Sequence, residues 1–139
     1  MSEQRTYGLF EVAGIELEYM VVDRETLRAS PTVDLLFKDV TGRMTGDVER
    51  GDVGWSNELT AHVLELKTAR PTADIGAFSA KFSAEVRAIN ALLAKRGLML
   101  LPTAAHPLFD PFTETVLWSH EYNEVYDLYN KIFDCRGHG

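Results

Sequence analysis

The chain has 139 residues, 45% of them hydrophobic, and a formal net charge of -7. That hydrophobic share excludes a disordered polymer, and the acidic balance excludes a general nucleic-acid binder, which needs a basic stripe. A single cysteine, Cys135, excludes an internal disulfide framework; no apolar run reaches the roughly 20 residues of a membrane span, and MSEQRTYG holds no apolar signal core, so the expectation is a cytoplasmic protein without a membrane partner.

Tyr7 to Val22 reads as one long strand or a bent pair, interrupted near Ala13 and Gly14. In GIELEYMVVD, strand alternation puts Ile15, Leu17, Tyr19 and Val21 on one face and Glu16, Glu18, Met20 and Val22 on the other. DRETLRASPTVDLLFKDVTG predicts a turn, a short extended piece and a short helix ending near Gly42. Gly42 to Gly54, with four glycines and many charges, predicts a hairpin or a mobile loop. Glu58 to Thr68 predicts mainly strand. A helix follows, capped by Thr72 with Asp74 in its first turn. Its stripe is Ile75, Phe78, Phe82, Val86, Ile89 and Leu93, and Gly97 suits the position just past its end. LMLLPT predicts a buried strand, and prolines 102, 107 and 111 punctuate a loop around His106. A last helix starts near Ser119, with a stripe of Tyr122, Val125, Tyr126, Tyr129, Ile132 and Phe133. Both helical stripes are expected in the core. The irregular order of elements predicts one α+β domain over residues 1–139, built on an antiparallel sheet.

Acidic residues inside apolar strands are the unusual feature. Glu16 and Glu18 share a face about 7 Å apart, and Glu65 stands in HVLELKT. At that distance two carboxylates repel by roughly 0.6 kcal/mol in water and over 2 kcal/mol at an effective dielectric near 20, and burial adds a desolvation cost. A shared proton, a basic partner or a cation would each relieve it. Spacing alone also leaves open a solvent-facing polar stripe.

GIELEYMVVD, WSNELTAHVLELKT and LLPTAAHPLFDP together resemble the glutamate–cysteine ligase family, in its bacterial carboxylate–amine ligase branch. The resemblance runs from about Tyr7 to Gly139 and rests on G-I/V-E-x-E-Y/F followed by N-E-x6-E-L/I/F. It implies a glutamine synthetase-like fold: a curved antiparallel sheet with helices on one face and glutamates on the concave face. It implies Glu16, Glu18, Glu58 and Glu65 as ligands of two or three magnesium ions, manganese being the alternative. Seven residues separate Glu58 from Glu65, so an unbroken strand would put them on opposite faces. Either a bulge near Thr60 and Ala61 lies between them, or Glu58 acts from a loop. The implied reaction uses ATP to phosphorylate a substrate carboxylate, glutamate being the expected acid, and an amine then displaces the phosphate. Cations between the β- and γ-phosphates serve such a transfer. No G-x4-G-K-S/T occurs, which disfavours a P-loop mechanism. No catalytic residue is assigned beyond the metal ligands.

The resemblance makes His106 a candidate for the substrate site, although Ala105 departs from the bulkier residue usual there. The residue type alone points to a hydrogen-bonding structural role. Arg136 is a candidate for nucleotide phosphate because its planar fork suits phosphate or carboxylate, with a packing arginine as the alternative. Lys67 and Arg70 follow the acidic strand and could neutralise it. His62 is read as ordinary packing and His120 as exposed. Cys135 and His138 are too few for a structural zinc site. Because the family pattern continues past CRGHG, the expectation is an incomplete domain, inactive alone, that self-associates or lacks a C-terminal portion. A non-catalytic binding or assembly module on the same scaffold, and a metal-dependent hydrolase, are the competing functions.

Overall fold

The computed structural model describes residues 6–102 and 106–135. Five strands, β1 (Glu16–Asp23), β2 (Asp47–Arg50), β3 (Val53–Asn57), β4 (Val63–Thr68) and β5 (Leu98–Leu101), form an open antiparallel sheet in the order β2-β3-β4-β1-β5. The helices are α1 (Val33–Thr41), α2 (Phe78–Leu93), α3 (Pro111–Glu114) and α4 (Asn123–Phe133). Among the described residues no helix is long and apolar enough to cross a membrane.

Alternation gives the sheet two chemically different faces. Val21, Trp55, Leu64 and Leu66 join Val33, Leu36 and Phe37 of α1 and Phe78, Phe82, Ile89 and Leu93 of α2 in one buried cluster. The opposite face carries two cross-strand rows. One runs Glu18, Glu65, Ser56, Asp47; the other runs Glu16, Lys67, Gly54, Glu49. The acidic residues of the strands therefore stand on the side away from α1 and α2.

Local chemistry sets the element ends. Gly42 closes α1 in the left-handed region at φ 77, and its N–H donates to the Lys38 carbonyl at 2.8 Å. Gly51, at φ 75, turns β2 into β3, so the Gly42–Gly54 segment supplies a hairpin. Arg50 Nε and Trp55 Nε1 both donate to Glu85 of α2, at 3.2 and 3.0 Å, tying that hairpin to the helix. Asp110 opens α3, accepting from the Phe112 N–H at 3.0 Å while its own N–H donates to Glu114 at 2.9 Å. This reciprocal cap orders part of the expected proline loop.

Several boundaries differ from expectation. Strand β1 begins only at Glu16, because Phe10 turns the chain at φ 62 and Ala13 merely bridges Thr72. Helix α2 begins at Phe78 rather than near Thr72. Thr72 and Asp74 instead form turns, accepting from Asp74 N–H and Ala77 N–H, both at 3.1 Å. Ile75 is consequently exposed. Helix α4 begins at Asn123, after Tyr122 at φ 71. His120 is half-buried, against the ring of Trp118 and 3.1 Å from Asp34 Oδ2. The largest correction concerns the α4 stripe. Tyr126 packs against the core, but Tyr122, Val125, Tyr129, Ile132 and Phe133 are 48–61% exposed. The helix leans on the body through one shoulder, and its apolar row faces outward.

Candidate metal centre

Strand register builds the centre. Glu18 of β1 lies directly opposite Glu65 of β4, an arrangement that costs free energy for like charges. Glu58 follows the last residue of β3, in the connection to β4. It stands in this loop, the second of the two positions open in the sequence. One oxygen from each of Glu18, Glu58 and Glu65 lies within 4.8 Å of the others. Glu65 is only 7% exposed, Glu58 is half-buried and Glu18 is open to solvent.

The consequence is greatest at Glu58. Burial, then the charges of Glu65 and Glu18 and a hydrogen bond with Glu65, push its carboxyl above the usual range, against the Leu59 N–H that donates to it. Glu65 is oriented from its far side. Ser56 Oγ donates to Glu65 Oε1 at 2.6 Å, and Lys67 Nζ stands 3.4 Å from that oxygen and 3.4 Å from Asp47 Oδ1. Burial alone would lower the Lys67 pKa, but the Asp47 and Glu65 carboxylates outweigh it and raise the value.

A second ring of groups braces the loop that carries Glu58. Asn57 Nδ2 donates to Tyr126 Oη at 2.9 Å and to the Glu58 carbonyl at 3.2 Å. Tyr126 therefore brings α4 to the rim of the acids, and its phenol is raised first by burial and then by Glu58. Gly46 is required here, since a Cβ would fall 2.7 Å from Asn57 Oδ1. Its N–H donates to Glu121 Oε2 at 2.9 Å, tying the segment before β2 to the segment before α4.

Of the predicted acidic residues, Glu18, Glu58 and Glu65 converge, whereas Glu16 lies in the neighbouring row, opposite Lys67 and exposed. Glu16 stands two residues from Glu18 on β1, about 7 Å along the strand and on the same face, beside this group of three. His106 has both ring nitrogens engaged by backbone. Nδ1 accepts from the Leu108 N–H at 3.0 Å, so the proton sits on Nε2, which donates to the Leu27 carbonyl. Arg136 and His138 lie outside the described residues. The sequence does not mark Ser56, Asn57 or Asp47, and it marks Tyr126 only as part of a helical stripe. Ser56 was within the sequence's reach, because pairing β3 with β4 in register sets that hydroxyl opposite Glu65.

All three convergent donors are carboxylate oxygens, the set that suits a hard divalent cation such as magnesium rather than zinc, which favours nitrogen and sulfur. An open antiparallel sheet with helices, carrying an acidic cluster, defines an α+β protein. The family model for glutamate-cysteine ligase family 2 matches residues 12–137. The chain belongs to that family. It is also 29% identical over 126 residues to an uncharacterized protein of Archaeoglobus fulgidus, covering 91% of this chain and 33% of that protein. The chain thus spans about a third of the length of the curated relative it matches.

Proposed function

We propose that this chain is part of an ATP- and magnesium-dependent carboxylate–amine ligase on a glutamine synthetase-like scaffold, with glutamate as the acid. The observation that carries the reading is the convergence of Glu18, Glu58 and Glu65 on the sheet side away from α1 and α2, in a family member. These three would hold a divalent cation, and Glu16, on the same face, would serve a second. Bound there, the cation would neutralise charge developing between the β- and γ-phosphates.

The chain's own residues have distinct tasks in this scheme. Ser56 and Lys67 occupy Glu65 Oε1 and leave its other oxygen for ligation. Asn57 and the Leu59 N–H fix the loop from which Glu58 reaches in. The substrate carboxylate attacks the γ-phosphorus of ATP, giving an acyl phosphate and ADP. The amine nitrogen then attacks the acyl carbon, phosphate leaves, and the amine gives up a proton. The cytoplasm is the compartment that suits this use of ATP. The 139 residues alone are expected to show no turnover.

The test measures ADP release by the protein at its natural full length, supplied with magnesium, ATP, glutamate and a panel of amines. Release should require both the acid and an amine, and Glu18→Gln should lower it by about 100-fold or more, the scale of lost transition-state charge stabilisation. ADP release unchanged in Glu18→Gln would overturn the assignment. Phosphate release without any amine would point to a hydrolase.

A further inference from the structure

On the other side of the sheet, the side that α1 and α2 cover, a cleft of about 380 Å³ opens between the end of α1 and the second half of α2. Val40, Trp55, Ala88, Ala91 and Leu92 give it an apolar lining. Ala88, Ala91, Leu92 and Lys95 recur at steps of three and four, so they form one stripe running from α2 into the short turn Ala94–Arg96 that extends it. The two alanines keep the cleft open. Ala91 is exposed and Ala88 half-buried, and a longer side chain at either would fill the space.

The charged lining is Asp39, Arg50 and Lys95, and its signs do not balance. Arg96 Nη2 holds Asp39 Oδ2 at 2.7 Å, so the one acid is already engaged. Arg50 gives Nε to Glu85 at 3.2 Å and stands 5.3 Å from the centre of the Trp55 ring. Its two terminal nitrogens bond to none of the described residues, and Lys95 makes no ion pair among them. An apolar lining beneath a few uncommitted polar groups is the pattern of a small-molecule site. Here the uncommitted groups are cations.

We propose that the cleft between α1 and α2 binds a small amphipathic anion, an aromatic carboxylate whose ring packs against Trp55, Ala88 and Ala91 and whose carboxylate meets Lys95 and Arg50. A guanidinium suits both parts of such a molecule, because it stacks on rings and forks onto carboxylates. The site is separate from the acidic centre and does not rest on the ligase reading. Trp55 and Ser56 are consecutive on β3 and point to opposite faces, so the sheet lies between the two. The acids of the far face repel an anion that this cleft attracts.

Calorimetry on the full-length protein compares 2-naphthoate with 2-naphthamide, the same ring without the charge. Naphthoate should bind about tenfold or more tightly than the amide, and Lys95→Gln should remove about that factor for naphthoate alone, the size of one charge-assisted hydrogen bond. Ala88→Leu combined with Ala91→Leu fills the cleft with a good helix former and should weaken both compounds, with circular dichroism verifying the fold. Ile132→Asp on the exposed row of α4 should change neither. Wild-type affinity for naphthoate in the folded double-leucine protein overturns the site, as does equal binding of acid and amide. Binding lost in Ile132→Asp would place the probe on α4 and overturn it too, and so would no binding of naphthoate at roughly millimolar concentration.

Discussion

Glu58 is held where its charge is unwelcome, and its stability effect has a definite sign. Its folded pKa is raised above the ordinary 4.5, so the folded chain binds that proton more tightly than the unfolded chain. The stabilisation is complete below the ordinary value and is lost as pH rises through the raised one. Glu58→Gln should therefore raise the metal-free melting temperature at neutral pH and flatten this part of the pH profile, while removing stabilisation by magnesium. A lower metal-free melting temperature would contradict it. His62 acts in the opposite direction. It is 2% exposed, its Nδ1 has no hydrogen-bond partner, and burial lowers its pKa to about 4. Stability from neutral His62 is present above pH 6.5 and lost as pH falls toward 4, about 3 kcal/mol when complete. Urea titrations across that range should show the loss in the native protein and a weaker loss in His62→Phe.

The two long helices make contrasting use of similar stripes. Ile89 of α2 is fully buried between the sheet and its neighbours. Ile89→Ala should cost about 2–5 kcal/mol in urea unfolding. Ile132→Ala on α4 should stay within about 0.5 kcal/mol, because Ile132 is 59% exposed. Equal costs would mean that the α4 stripe is buried in solution. Periodicity revealed both helices, since it reports a face that favours burial, but it does not say what covers that face. The same limit applies to the strands. Alternation placed Glu16, Glu18, Met20 and Val22 together, and β1 obeys it. It could not show that Glu18 meets Glu65 and Glu16 meets Lys67, because register is a property of pairs of strands. The loop position of Glu58 was legible only as one of two options, and Asp47 entered the site through a hairpin whose register no local pattern announces.

At the scale of the whole molecule, the net charge of -7 gathers partly into one cluster on one sheet face. A cation bound there stabilises the folded chain by mass action, about 2.7 kcal/mol at one hundred times its dissociation constant. Magnesium should raise the melting temperature of the native protein and leave that of Glu18→Gln nearly unchanged; equal shifts would place the ion elsewhere. The molecule supplies its own means of observing this. Its two tryptophans, Trp55 and Trp118, are each 1% exposed in the packed interior. Trp55 neighbours Ser56 in the chain, yet its ring points to the opposite side of the sheet from the acids. Their fluorescence should be blue-shifted in the native state and shift to the red only when the interior opens to water. Ion binding should leave the native spectrum in place and move only the temperature at which it changes, so emission colour separates global stability from events at the acidic face.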